Sequence, residues 1–175
     1  MKADKREASR KEPMVGSFAH TDPTERIMHL SLAQVLPDGV VFVLHRTLGF
    51  AAILACDGHS PQMRAAQCFT PIEVITLLPL LFSHPNYCPH EYLFASFSGG
   101  TTEQDIERAR HRLLRAKERG EWDVLMRPLR NYLSRVRHKL NTLRIDVRSI
   151  FETGYLLRPY SEGQYRRLRR AEKQE

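Results

Sequence analysis

The sequence predicts an α+β fold: a small antiparallel sheet, then a run of helices, then a two-stranded hairpin. Three observations carry that expectation. Between Ile27 and Phe69, β-branched and aromatic runs alternate with turn residues, the pattern of short strands. From Thr70 to Leu140, capping residues and glycines bracket successive stretches of helical periodicity. Between Arg127 and Leu157, an arginine-studded helix precedes two short strand-like runs around Gly154 and Tyr155.

The strand region opens with Ile27–Leu36 and reaches Pro37-Asp38-Gly39, where Pro presets φ and Gly accepts a positive value. Val40–Thr47 and Phe50–Cys56 follow, parted at Gly49. A second turn over Asp57-Gly58-His59-Ser60-Pro61 leads to Met63–Phe69 and completes a sheet over 27–69. Thr70-Pro71-Ile72-Glu73 is a helix start: Thr can cap, Pro suits the first helical position, and Glu can close a capping box. The first helix is expected over 71–83, with Pro79 kinking or shortening it. A second, over 90–98, closes at Gly99-Gly100.

Residues 102–119 read as an additional helix, capped by Thr101 or Thr102 and ended by Gly120. Its apolar stripe, Ile106, Ala109 and Leu113, is thin and predicts weak docking. Arg108, Arg112, Arg115 and Arg119 fall together at i, i+4, i+7 and i+11 and are expected on the far side. Trp122–Met126 leads into a helix over 127–140, and the hairpin occupies 144–158.

The chain has 175 residues and 42% hydrophobic content, enough for one domain with a real core. Its longest apolar runs, Val40–Leu44 and Leu77–Phe82, are too short to cross a bilayer, so no membrane partner is expected. The charge of +7 is unevenly spread. Residues 1–17 hold five bases and three acids, and residues 18–100 three bases and six acids. Residues 101–175 hold nineteen bases and eleven acids. Such a localised excess suits an anionic partner. The expected organisation is a disordered basic tail over 1–17, an ordered domain over 18–160, and a basic tail over 161–175.

The helix over 127–140 gives the charge a direction. Leu129, Leu133, Val136 and Leu140 form one apolar stripe at i, i+4, i+7 and i+11. At about 100° per residue, Arg127, Asn131, Ser134, Arg135 and His138 fall on the opposite side. Arg130 and Arg137 border that face on one flank, Tyr132 and Lys139 on the other. Such a face suits a DNA major groove, because Arg can bind guanine bidentately, Asn can bind adenine, and flanking cations can hold phosphates. The competing reading is a solvated, arginine-rich surface helix.

These residues resemble the DNA-binding domain of OmpR/PhoB-type response regulators, a winged helix-turn-helix preceded by a four-stranded sheet. The resemblance covers Val40–Arg158 and has three anchors. FTPIEVITLLPLLFSHPN, Phe69–Asn86, looks like the family's first helix; LRNYLSRVRHKL, Leu129–Leu140, like its recognition helix; VRSIFETGYLL, Val147–Leu157, like its wing strand. The resemblance implies a winged helix over 18–160 with three core helices, a C-terminal wing, and 102–119 as an inserted helix. It implies that Arg130, Asn131, Ser134 and Arg135 face bases or nearby phosphates. Tyr132, Arg137, Arg148, Ser149 and Tyr155 would fall at backbone-contacting or wing-supporting positions. Gly154 would supply the backbone freedom of the wing turn. The implied partner is double-stranded DNA in a cytoplasmic, nucleoid-associated setting, with homodimerisation on DNA left open.

Three departures qualify the likeness. The residues before the sheet are far fewer than the roughly 50–250 of a domain, so no receiver domain and no aspartyl phosphorylation within this chain are expected. Phe151-Glu152 stands where the family has Arg-Gly at the wing tip; Phe151 could pack on sugars, insert as a wedge, or serve a protein interface. The link before the recognition helix, where response regulators often contact RNA polymerase, holds a whole extra helix. Its arginines, Arg108, Arg112, Arg115 and Arg119, are therefore candidates for a partner surface, with RNA polymerase and flanking DNA as the alternatives.

No enzymatic role, cofactor or metal is expected. His84, Cys88 and His90 form the one His/Cys cluster, and it lacks ligand spacing. Cys56, Cys68 and Cys88 include no CxxC pair and read as free thiols. No phosphate loop, nucleophile elbow or carboxylate pair is visible. The leading function is sequence-specific DNA binding in transcription regulation. The alternative is a winged helix used as a protein-interaction module, and a third reading is a nonspecific architectural binder.

Overall fold

A computed structural model of the chain describes residues 26–56 and 60–161. The expected tails at 1–17 and beyond residue 161, and the centre of the turn at 57–61, lie outside the described residues.

Four strands form an antiparallel meander: β1 (Ile27–Leu30), β2 (Val40–His45), β3 (Phe50–Cys56) and β4 (Pro61–Cys68). The strand expected over 27–36 stops at Leu30, because the chain turns at Ala33–Val35 and Leu36 N–H donates to Leu32 O at 2.8 Å. That turn folds Leu32, Val35 and Leu36 inward instead of alternating them. On β2, Phe42 and Leu44 are buried at every second position, as one covered sheet face requires. Across from them, Ile53 and Ala51 face the same core through the registers Phe42↔Ile53 and Leu44↔Ala51.

Helix α1 (Pro71–Ser83) begins as its sequence predicts. The Glu73 carboxylate accepts the Thr70 backbone N–H at 2.8 Å, one of the donors a helix start leaves unpaired. Pro79 does not shorten the helix; the carbonyl it leaves without a helical partner belongs to the exposed Ile75. The short helix α2 (His90–Phe97) crosses beside α1.

Helix α3 (Glu103–Glu118) is the expected addition. Thr102 and Asp105 cap it reciprocally: Asp105 N–H donates to Thr102 Oγ1 at 3.2 Å and Thr102 N–H to Asp105 Oδ2 at 3.1 Å. It ends at Gly120, whose φ of 70° lets its N–H bond Lys117 O and the next N–H bond Ala116 O. The docking stripe is thicker than the sequence suggests. Ala109, Leu113 and Ala116 are all buried, α3 lies along α2, and Arg110 reaches Glu91 on α2 at 3.3 Å.

Helix α4 spans Trp122–Thr142, five residues longer at its start than the helix expected over 127–140. Pro128 does not delay it, since the lost bond would have gone to Val124 O near the helix end. The early start adds Met126, fully buried, to the buried stripe of Leu129, Leu133, Val136 and Leu140. A three-stranded sheet completes the fold, in the order β5 (Cys88–Pro89), β7 (Gly154–Pro159), β6 (Ile145–Ile150). The two-residue strand β5 carries no sequence signal. It explains Gly154, whose φ is not positive; Glu152, at 54°, makes the left-handed turn instead. A Cβ on Gly154 would lie 2.0 Å from Cys88 O, so the glycine allows close approach and not a turn.

Candidate nucleic-acid interface

Helix α4 is fixed on three sides, and what remains exposed is its polar face. Its stripe is buried in the core that α1 and α2 share. Toward its C-terminal half, Lys139 donates to Glu73 of α1 at 2.6 Å and lies 5.6 Å from the Phe69 ring centroid. Burial pushes the Glu73 carboxyl up, but the hydrogen bonds from Lys139 and Thr70 outweigh it and hold it below its ordinary value.

The third tie joins α4 to the hairpin. Asp146 on β6 is 1% exposed and accepts Arg137 Nε on Oδ1 at 3.0 Å and Arg158 Nε on Oδ2 at 2.9 Å. One buried carboxylate therefore holds the helix and both hairpin strands in one geometry. Arg137, expected as a flank cation for phosphate, is already partnered. Asp146 was missed in the sequence, although its cross-strand register with Arg158 is an opposite-charge pairing that aligning the hairpin would have shown.

Arg127, Asn131, Ser134, Arg135 and His138 are all exposed, as their placement opposite the stripe predicts. Arg135 lies 5.3 Å over the Tyr132 ring. Tyr132 is half-buried and packs in turn on Phe97 of α2. Its ring supports Arg135 and helps fix where that guanidinium stands. Arg130 is bound to Asp123 two turns earlier, at 2.7 Å, and its charge acts on the Tyr155 phenol.

Between α4 and the hairpin runs a groove of about 600 Å³. Its wall includes Trp122, His90 and Tyr155, with His90 edge-on to both other rings at 5.4 Å. Burial lowers the His90 pKa, as does Arg130, against the opposing Glu91 carboxylate. Burial likewise pushes the Tyr155 phenol up despite the Arg130 guanidinium beside it. Tyr155 is thus a supporting residue inside the groove. Arg148 and Ser149 are exposed on β6, and Phe151 at the hairpin tip is 88% exposed. Glu152 beside it is held by Lys117 of α3 at 3.0 Å.

The inserted helix corrects one expectation. Arg108, Arg112, Arg115 and Arg119 do line one groove, but against the first turns of α4 and not on the far side. Each arginine stands one residue from Ala109, Leu113 or Ala116 in sequence or close to it, so the stripe is about 100° from the buried face and not 180°. Arg108 is also paired with Asp105 at 3.1 Å, and Arg112 lies 5.3 Å over Phe94. Cys88, 1% exposed, has its thiol pushed up to about 12 chiefly by burial, the setting of an inert core cysteine. Among the described residues no three His, Cys, Asp or Glu side chains gather as a metal site, and no helix is long and apolar enough to cross a membrane.

No family model, curated protein or solved structure matches the chain.

Proposed function

We propose that this chain is a sequence-specific DNA-binding regulator of transcription with an OmpR/PhoB-like winged helix-turn-helix architecture. In this reading α4 enters the major groove, and the hairpin β6–β7 is the wing over the adjacent minor groove. The observation that carries it is the exposed set Arg127, Asn131, Ser134, Arg135 and His138 on a helix whose opposite side is wholly buried. Base-reading side chains must be presented by a scaffold that does not move, and Lys139–Glu73 and Arg137–Asp146–Arg158 supply that rigidity. Arg148 and Ser149, exposed on β6, are the hairpin residues available to a DNA backbone in this reading.

Selection of bound fragments from genomic DNA, followed by salt-titrated binding, tests the reading. Arg135→Ala should lose about 1–3 kcal/mol on the selected site and relax one base position. Equal loss on a scrambled duplex would reduce Arg135 to a phosphate contact, and no preference for the selected site would overturn the proposal. A protein-interaction module is the second reading, favoured by Phe151, exposed at a tip where a phosphate-facing wing would carry a cation.

A further inference from the structure

We propose that the groove between α3 and the first turns of α4 docks an acidic, amphipathic helical segment of a protein partner. This inference is independent of whether α4 reads DNA. The groove measures about 680 Å³ and is lined by Arg108, Arg112, Arg115 and Arg119 on one side and by Glu121, Val124 and Leu125 on the other. Among its lining residues Glu121 is the single acid against four bases. Asp105 neutralises Arg108, and Arg112 is stacked on Phe94. Arg115 and Arg119 have no acidic partner among the described residues, and both are exposed.

The apolar floor decides between partners. Val124 is 66% exposed and Leu125 is half-buried, both lining the groove with the arginines. An exposed valine alone would mean nothing. Across the groove from a cationic wall, it adds an apolar anchor point that a phosphate backbone cannot use and a protein side chain can. The acids of α3 at Glu103, Glu107 and Glu118 occupy another flank; on the groove side Asp105 is committed to Arg108 and Glu121 is the one acid of the lining. Arg108 to Arg119 spans about 16 Å of helix. A partner helix of some three turns matches that length, with carboxylates at i, i+3 or i+4, and i+7, and a leucine facing Val124. This is helix-in-groove recognition with charge complementarity along the rim.

The test titrates the full chain with a synthetic helical peptide of about fifteen residues, bearing glutamates at that spacing and one leucine. A second peptide has the same composition scrambled. Arg115→Glu with Arg119→Glu should weaken the patterned peptide roughly tenfold or more, since two attractions become two repulsions. Val124→Glu should weaken it as well, and the melting temperatures of both variants should match wild type. Arg135→Ala should bind the peptide unchanged. Failure of the wild-type chain to prefer the patterned peptide overturns the proposal, as does equal affinity in the double variant. A double variant that keeps peptide affinity but loses affinity for long duplexes relative to short ones assigns the arginines to flanking DNA instead.

Discussion

Asp146 shows how one side chain can control a surface it never reaches. Its carboxylate is nearly inaccessible and each oxygen accepts one guanidinium. Arg137 comes from α4 and Arg158 from β7, so the angle between helix and hairpin is set by charge-assisted hydrogen bonds with fixed directions. Asp146→Ala is expected to cost about 1–3 kcal/mol of stability, less than a stranded buried ion would, because both arginines can turn toward water. On the proposed reading, the same variant should also weaken DNA binding and lower the preference for a matched over a scrambled duplex, because the bridge helps fix the helix that carries the exposed polar face. Chemical denaturation and binding to matched and scrambled duplexes check this. An unchanged preference would mean that the bridge stabilises the hairpin without setting the orientation of α4. Gly154 is the other residue with a remote reason: the carbonyl of Cys88 occupies the space its Cβ would need.

At the scale of elements, Leu133 tests the orientation of α4. It sits mid-stripe, 5% exposed, between buried Leu129 and Val136. Leu133→Ala should cost about 2–5 kcal/mol, seen as a lower melting temperature. An unchanged value would mean that this position collapses without loss and that the stripe is held elsewhere. Periodicity made α1, α3 and the C-terminal part of α4 legible, because one stripe of Leu and Val at helical spacing is a local signal. Capping chemistry located Thr70 for the same reason and narrowed the start of α3 to Thr101 or Thr102, of which Thr102 is the cap. What could not be read was set by partners distant in sequence. The true start of α4 was hidden by Pro128, whose cost is small near a helix N-terminus. Strand β5 exists only because β7 arrives beside Cys88 and Pro89. The exposed face of α4 was legible residue by residue. The commitments of Arg137 to Asp146 and Lys139 to Glu73 were not, since each joins residues brought together only by the fold.

Across the whole molecule, Glu73 and Lys139 couple stability to acidity. The Glu73 carboxyl titrates below its ordinary 4.5 in the folded chain, so the folded state favours its ionised form. Its contribution is therefore complete above about pH 4.5 and disappears as pH falls through the lowered value. Glu73→Gln should lower the melting temperature near neutrality and flatten its dependence on pH at the acid end. Parallel curves for variant and wild type would place the acid sensitivity in other carboxylates.

The distribution of charge sets how binding responds to salt. Nineteen of the 27 lysines and arginines lie after residue 100, so on the proposed reading counterion release comes from the helix–hairpin half. Each phosphate neutralised contributes about 0.9 to the slope of log affinity against log salt. Arg127 is exposed on the polar face of α4 and has no acidic partner among the described residues, so on the proposed reading its guanidinium displaces a counterion. Arg137 already spends its charge on Asp146. Arg127→Ala should therefore shallow the slope by about 0.9, at unchanged melting temperature. Arg137→Ala should lower the melting temperature and weaken all duplexes, with a smaller change in slope. The measurement is a salt titration of both variants on one duplex, beside thermal melts of the free proteins. A wild-type slope in Arg127→Ala would remove that arginine from the phosphate contacts. A full unit lost in Arg137→Ala would mean that its guanidinium leaves Asp146 when DNA arrives, and that the hairpin is released as the helix docks.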